Sequence, residues 1–129
     1  TCALPISDLI LSEHSTWKRI YLHRMKHSEI CIASIGLHQS SGWKIAEYLA
    51  AGRAIVSEPL CYEVPGPFQA GKNYLTYTSA DGCIEQIRTL LAHPEQILQM
   101  GQRNRAYYDE WLRPDQIVAK ALEQAKISL

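Results

Sequence analysis

The sequence predicts an α/β fold, a small Rossmann-like three-layer domain with a short parallel sheet and C-terminal helices. Three observations carry the prediction. A short, unbroken, β-rich run at residues 29–35, the kind of strand that parallel sheets bury on both faces, is followed by a second short apolar strand at 53–57. Between them GLHQSSGWKIAEYLAAG, residues 36–52, joins a glycine-bounded polar loop to a helical pattern, so the unit reads strand–loop–helix–strand, a parallel crossover. Beyond residue 80 the chain is filled by amphipathic helical patterns. A loop that follows the first strand of such a unit lies at the carboxyl edge of the sheet, where open α/β proteins bind ligands.

The elements follow in order. Residues 4–11 are partly apolar and read as extended, though their alternation is poor. A helix is expected over 14–27, with Ser12 and Ser15 as candidate N-caps and Trp17, Ile20, Tyr21 and Met25 on one face. The strand over 29–35 leads into the loop. The helix over 43–51 stops at Gly52, a natural left-handed C-terminal residue, and Trp43 is expected to pack it onto the sheet. Pro59, Pro65, Gly66, Pro67 and Gly71 make 58–72 a structured loop. A third strand is expected over 73–77. Thr78 or Ser79 caps a helix over 80–92 whose inner face carries Ile84, Ile87 and Leu91. Pro94 opens the next helix at its first position, and Ile97, Met100, Tyr107, Tyr108 and Trp111 form its apolar face. Pro114 interrupts the chain before a last amphipathic helix bearing Ile117, Val118, Ala121, Leu122 and Ala125.

Composition narrows the function classes. A chain of 129 residues, 47% hydrophobic and 20% charged, is the size of one ordinary globular domain, expected to span 1–129. Thirteen basic residues offset thirteen acidic ones, so nothing points to a nucleic-acid partner or an anionic membrane surface. No apolar run reaches the ~20 residues of a membrane span, and no signal peptide opens the sequence. The four cysteines, Cys2, Cys31, Cys61 and Cys83, are far apart with no CxxC pair, as suits reduced thiols in a cytoplasmic protein. His23 and His27, four apart on a helix, lack a third ligand and read as a solvated face. No metal site is expected. About three strands make a small sheet for so much helical apolar surface, so either an N-terminal part is missing or the domain docks on a partner.

The order of residues from Gly36 to about Leu91 resembles the second half of the nucleotide-sugar-binding domain of group-1 glycosyltransferases. Those enzymes face two Rossmann-like domains across a cleft, the GT-B architecture. Gln39-Ser40-Ser41-Gly42 occupies the family's Glu-Gly-Phe-Gly loop, and Glu47 stands at its second carboxylate. Ala50-Ala51-Gly52 and Ala54-Ile55-Val56 match the helix end and next strand; Glu63-Val64-Pro65-Gly66, Asn73-Tyr74-Leu75 and 81–91 follow in the family's order. The distal segment from His93 to Ile117 reads like its closing helices.

The resemblance implies a donor-side domain that transfers a sugar from a nucleotide diphosphate sugar once an N-terminal acceptor domain or a homo-oligomer partner completes the cleft. It implies no cofactor and no metal. Glu47 would hold the ribose diol; His38, Gln39, Ser40, Ser41, Gly42 and Lys44 would meet the diphosphate and sugar, with backbone N–H groups of the loop at the helix N-terminus. Gln39 replaces the first carboxylate of the family pair, and an amide carries no charge to stabilise a cationic transition state. No catalytic residue is therefore assigned, and the chain alone is expected to be inactive or incomplete. Read from the residues alone, Glu47 is equally a surface glutamate favouring the helix dipole, and the serines are equally plain N-caps. Glu58 and Glu63 are weaker ligand candidates. The alternative is a non-catalytic α/β module that binds a nucleotide or a protein. A phosphoryl-receiver or flavodoxin-like domain is a further rival, but the aspartates supply no acidic cluster at a strand end.

Overall fold

The structure, a computed structural model, describes residues 12–127. A 3-10 turn over Glu13–Thr16 precedes α1 (Lys18–His27) and β1 (Ile30–Ala33). A second such turn, Leu37–Gln39, precedes α2 (Gly42–Ala50) and β2 (Ala54–Ser57). After a long loop come β3 (Leu75–Thr76), α3 (Ala80–Ala92), α4 (Pro94–Tyr107), a π turn (Tyr108–Leu112) and α5 (Pro114–Ile127). The strands form one parallel sheet in the order β1-β2-β3, with Ile30 opposite Ala54 and Val56 opposite Leu75. The fold is the small Rossmann-like α/β arrangement that the sequence predicts.

Strand alternation divides the core. Cys31, Ala33 and Ile55 pack with Met25 of α1, with Ile45, Tyr48 and Leu49 of α2, and with Tyr107. Ala54 and Val56 face the other way, onto Leu90 of α3 and Met100 of α4. Because α4 supplies Met100 to one face and Tyr107 to the other, it passes beneath the amino edge of the sheet. There Gly101 lies so close to Gly52 that a Cβ on it would stand 2.5 Å from the Gly52 carbonyl oxygen. Buried amides complete the seam. Asn104 Nδ2 donates to the carbonyls of Arg53 (2.8 Å) and Asn73 (2.9 Å), and Asn73 Nδ2 donates to Asn104 Oδ1 (3.1 Å).

Local signals set the end of α2 and the starts of α3 and α4 where expected. Gly52 has φ +63°, its N–H donates to Leu49 O and that of Arg53 to Tyr48 O, the paired bonds of a Schellman stop. Ser79 Oγ accepts from Gly82 N–H at 3.1 Å, and Pro94 takes a first-turn position in α4. Tyr107, Tyr108 and Trp111 form a packing stripe, with Tyr107 5.0 Å from the Phe68 ring.

Several expectations are corrected. The helix over 14–27 is broken at Trp17, whose ψ of 135° is extended. Ser12 makes no side-chain cap bond there, pairing with Ser15 Oγ instead. The strand over 29–35 shortens to four residues and is not buried on both faces, since Ile32 is 48% exposed. Among the described residues β1 is the sheet edge, and α3 packs over β2 and β3 rather than over Ile32. β3 keeps two residues of the expected five. On α3 the inner face turns: Ile87 packs inward with Cys83 and Leu90, while Ile84 and Leu91 are exposed. Cys31, Cys61 and Cys83 are free thiols, and burial pushes the Cys31 thiol up to about 11. Among the described residues no helix is long and apolar enough to cross a membrane, and no group of three or more His, Cys, Asp or Glu side chains could hold a metal. The expected extended segment over 4–11 and Cys2 lie outside the described residues.

Candidate functional site

Two helices open at the carboxyl edge of the sheet. α2 leaves β1 through the loop at 34–41 and runs back along the sheet. α1 precedes β1 across a two-residue link, Ser28-Glu29, so it too runs against the strand and begins at the carboxyl edge. Both pack on the same sheet face, α1 through Met25 and α2 through Ile45, Tyr48 and Leu49.

The loop folds on itself. Gly36 N–H donates to Ser40 O at 2.7 Å, Gln39 N–H to Gly36 O at 3.1 Å, and Ser40 N–H to Leu37 O at 3.2 Å. His38 (φ 54°) and Gln39 (φ 62°) are consecutive left-handed residues. For residues with a Cβ that conformation costs roughly 1–2 kcal/mol each and persists only where surroundings impose it. Those surroundings come from the segment after β2. Tyr62 OH donates to His38 O at 3.0 Å, and Ile35 N–H donates to Glu58 Oε2 at 2.8 Å. Glu58, a weak ligand candidate in the sequence, thus braces the loop, while Glu63 lines a separate surface hollow with Tyr62 and Val64.

Ser41 stands at the N-cap of α2 but makes no side-chain cap bond. The first N–H groups of a helix have no intrahelical acceptor, so this end presents donors and the positive end of the helix dipole. Gly42 follows with φ +67° and open space where a Cβ would be. His38, Gln39, Ser40, Gly42 and Lys44 are exposed, and Ser41 is half-buried. The structure therefore gathers the expected loop residues around one uncapped helix start.

Glu47 lies deeper in α2, and its two oxygens are held from α1. Lys18 Nζ bonds Oε1, and Tyr21 OH donates to Oε2 at 2.9 Å. Partial burial works to raise the Glu47 carboxyl, but the bonds from Lys18 and Tyr21 and the lysine's charge outweigh it and hold it below its ordinary value. Burial and then the bond to Glu47 raise the Tyr21 phenol. Tyr48, the next residue of α2, donates to Ile32 O at 3.1 Å and ties the helix to the end of β1. The helix carries an ionised carboxylate about one and a half turns behind an uncapped start, a set of groups that suits a ligand with hydroxyls at one end and negative charge at the other.

A profile of the glycosyl transferase-like family matches residues 11–129. The chain belongs to that family. Searches of curated proteins and of solved structures each found no match. In this glycosyltransferase-related domain the expected packing of Trp43 onto the sheet is overturned, because the side chain is 88% exposed. It occupies the solvent side of the first turn, since Ile45, Tyr48 and Leu49 already fill the inward stripe of α2. Sequence reasoning missed Lys18 as a site residue and placed Tyr21 only on a core face. Their i,i+3 spacing on α1 was the available signal, but only the packing of α1 beside α2 shows what they meet.

Proposed function

We propose that this chain is the donor-side part of a glycosyltransferase, binding a nucleotide diphosphate sugar at the carboxyl edge of its sheet and transferring the sugar when an acceptor-binding domain or a second copy completes the cleft. The observation that carries the reading is the carboxylate of Glu47 held in its ionised form one turn and a half into α2, behind an uncapped helix start, in a chain of the glycosyl transferase-like family. On this reading Glu47 accepts hydrogen bonds from the ribose hydroxyls. The N–H groups at the start of α2, with Ser40, Ser41 and Lys44, meet the diphosphate, and the helix dipole stabilises it as a leaving group. His38 and Gln39, at the loop tip, meet the sugar. Gln39 supplies an amide where a charged group would assist a cationic transition state, so it is assigned to binding and no catalytic residue is assigned. The reading needs no metal.

Calorimetric titration with UDP, GDP and ADP tests it, comparing the wild type with Glu47→Gln. The expected result is binding of at least one nucleotide by the wild type and about a tenfold loss in the variant, the scale of one hydrogen bond to a charged group. Equal affinities for wild type and variant would overturn the assignment of Glu47. Turnover of a nucleotide sugar by the purified chain alone would overturn the dependence on a completing domain.

A further inference from the structure

Glu47 is already occupied by side chains of the same chain, and the identity of its two partners has a consequence for ligand binding. We propose that Lys18 is an exchangeable cation of the site: it pairs with Glu47, and when a ribose diol takes over that carboxylate it turns its ammonium to the neighbouring diphosphate, while Tyr21 keeps the carboxylate aimed. This rests on the donor-site reading of Glu47.

The two partners of Glu47 differ in what it takes to move them. Lys18 is the first residue of α1, and its side chain is 65% exposed against 26% for Glu47. Ion pairs so open to water contribute less than about 1 kcal/mol, so giving this one up costs little. Tyr21 is half-buried, and its hydroxyl bonds the other carboxylate oxygen at 2.9 Å. Loss of Lys18 therefore leaves Glu47 with one oriented oxygen and frees the other to accept from a hydroxyl. A carboxylate is an acceptor only, so an ammonium and a diol are interchangeable donors to it.

Charge gives the exchange its direction. A diphosphate at the start of α2 would lie within about one Debye length of the Glu47 carboxylate, and two anions at that range repel. The Lys18 ammonium is already on the Glu47 carboxylate, so a diphosphate bound at the start of α2 would compete with that carboxylate for it. Lysine is a compact charge on a flexible stem of four carbons, the side chain suited to swing from one anion to another. Lys44, also on α2, lies one turn from Glu47 and would share the phosphate charge rather than replace Lys18.

The test uses paired ligands, the nucleosides uridine, guanosine and adenosine and their 5′-diphosphates, titrated into wild type, Lys18→Met, Lys18→Arg, Tyr21→Phe and Glu47→Gln, with thermal unfolding as the check on folding. In Lys18→Met the ratio of diphosphate to nucleoside affinity is expected to fall by about tenfold, with nucleoside affinity unchanged or raised because a competitor for Glu47 is gone. Lys18→Arg is expected to keep the ratio. In Tyr21→Phe both affinities fall together and the ratio stays. A role for Lys18 in tethering the two helices alone would weaken nucleoside and diphosphate equally, and an unchanged ratio in Lys18→Met overturns the proposal while Glu47→Gln still supports the donor site. Failure of the wild type to bind any of the six ligands, or binding by Glu47→Gln equal to wild type, overturns the donor-site reading and this inference with it.

Discussion

The two ends of α2 are built in opposite ways. At its C-terminal end the backbone turns left-handed at Gly52, its last carbonyls are satisfied by the Gly52 and Arg53 N–H groups, and Gly101 of α4 presses against it. Buried Asn104 and Asn73 seal the same corner. At its N-terminal end Ser41 caps nothing, Gly42 opens onto free space, and Trp43 is almost wholly exposed. The strained loop in front, with two left-handed residues, is held by hydrogen bonds from its own turn and from the segment after β2. One helix is thus fixed at the amino edge of the sheet and offered at the carboxyl edge. Packing is concentrated at the amino edge, while the polar groups at the other end of the helix are left exposed.

Substitutions sharpen the contrast. The largest effect is expected from Leu49→Ala, in the locked half of α2, where a side chain with 1% exposure packs among Met25, Ile55 and Tyr107. The loss should be about 2–5 kcal/mol in chemical denaturation, as for other buried leucines. A loss below 1 kcal/mol would mean that the seam around Leu49 collapses freely and the end is not rigid. Gly101→Ala comes next, since its Cβ meets the Gly52 carbonyl at 2.5 Å and one helix must shift. Overpacking of this kind costs about 1–3 kcal/mol, and the unfolding midpoint reads it directly. At the open end Trp43→Ala should change stability by no more than about 0.5 kcal/mol, as for surface positions without special contacts. A drop as large as that of Leu49→Ala would show that Trp43 is packed after all and erase the difference between the ends.

Much of the fold could be read from the chain because its signals are local. Gly52, Ser79 and Pro94 fixed helix boundaries through backbone geometry within a few residues, and all three act where the sequence placed them. The β1–α2–β2 crossover followed from two β-rich runs with a helical period between them. In the site, the loop residues were legible as a group because a polar stretch between a strand and a helix has one place to go, the carboxyl edge. The conformation of His38 and Gln39 was not legible, since neither is a residue type that demands positive φ; the loop's own turn bonds and a hydrogen bond from distant Tyr62 to the His38 carbonyl accompany it. The inner face of α3 was misplaced for a related reason. Helical periodicity allows either Ile84 and Leu91 or Cys83 and Leu90 to point inward, and only the position of β2 and β3 selects between them.

By itself the sequence determined the element order, the helix stops and the membership of a carboxylate and a polar loop in one strand–helix unit, because those depend on neighbours within a turn or two. The tertiary structure alone decided that Ile32 is exposed among the described residues, that Trp43 faces solvent and that Lys18 and Tyr21 hold Glu47. Those outcomes depend on which helix lies beside which, and the burial that sets such neighbours has no direction along the chain.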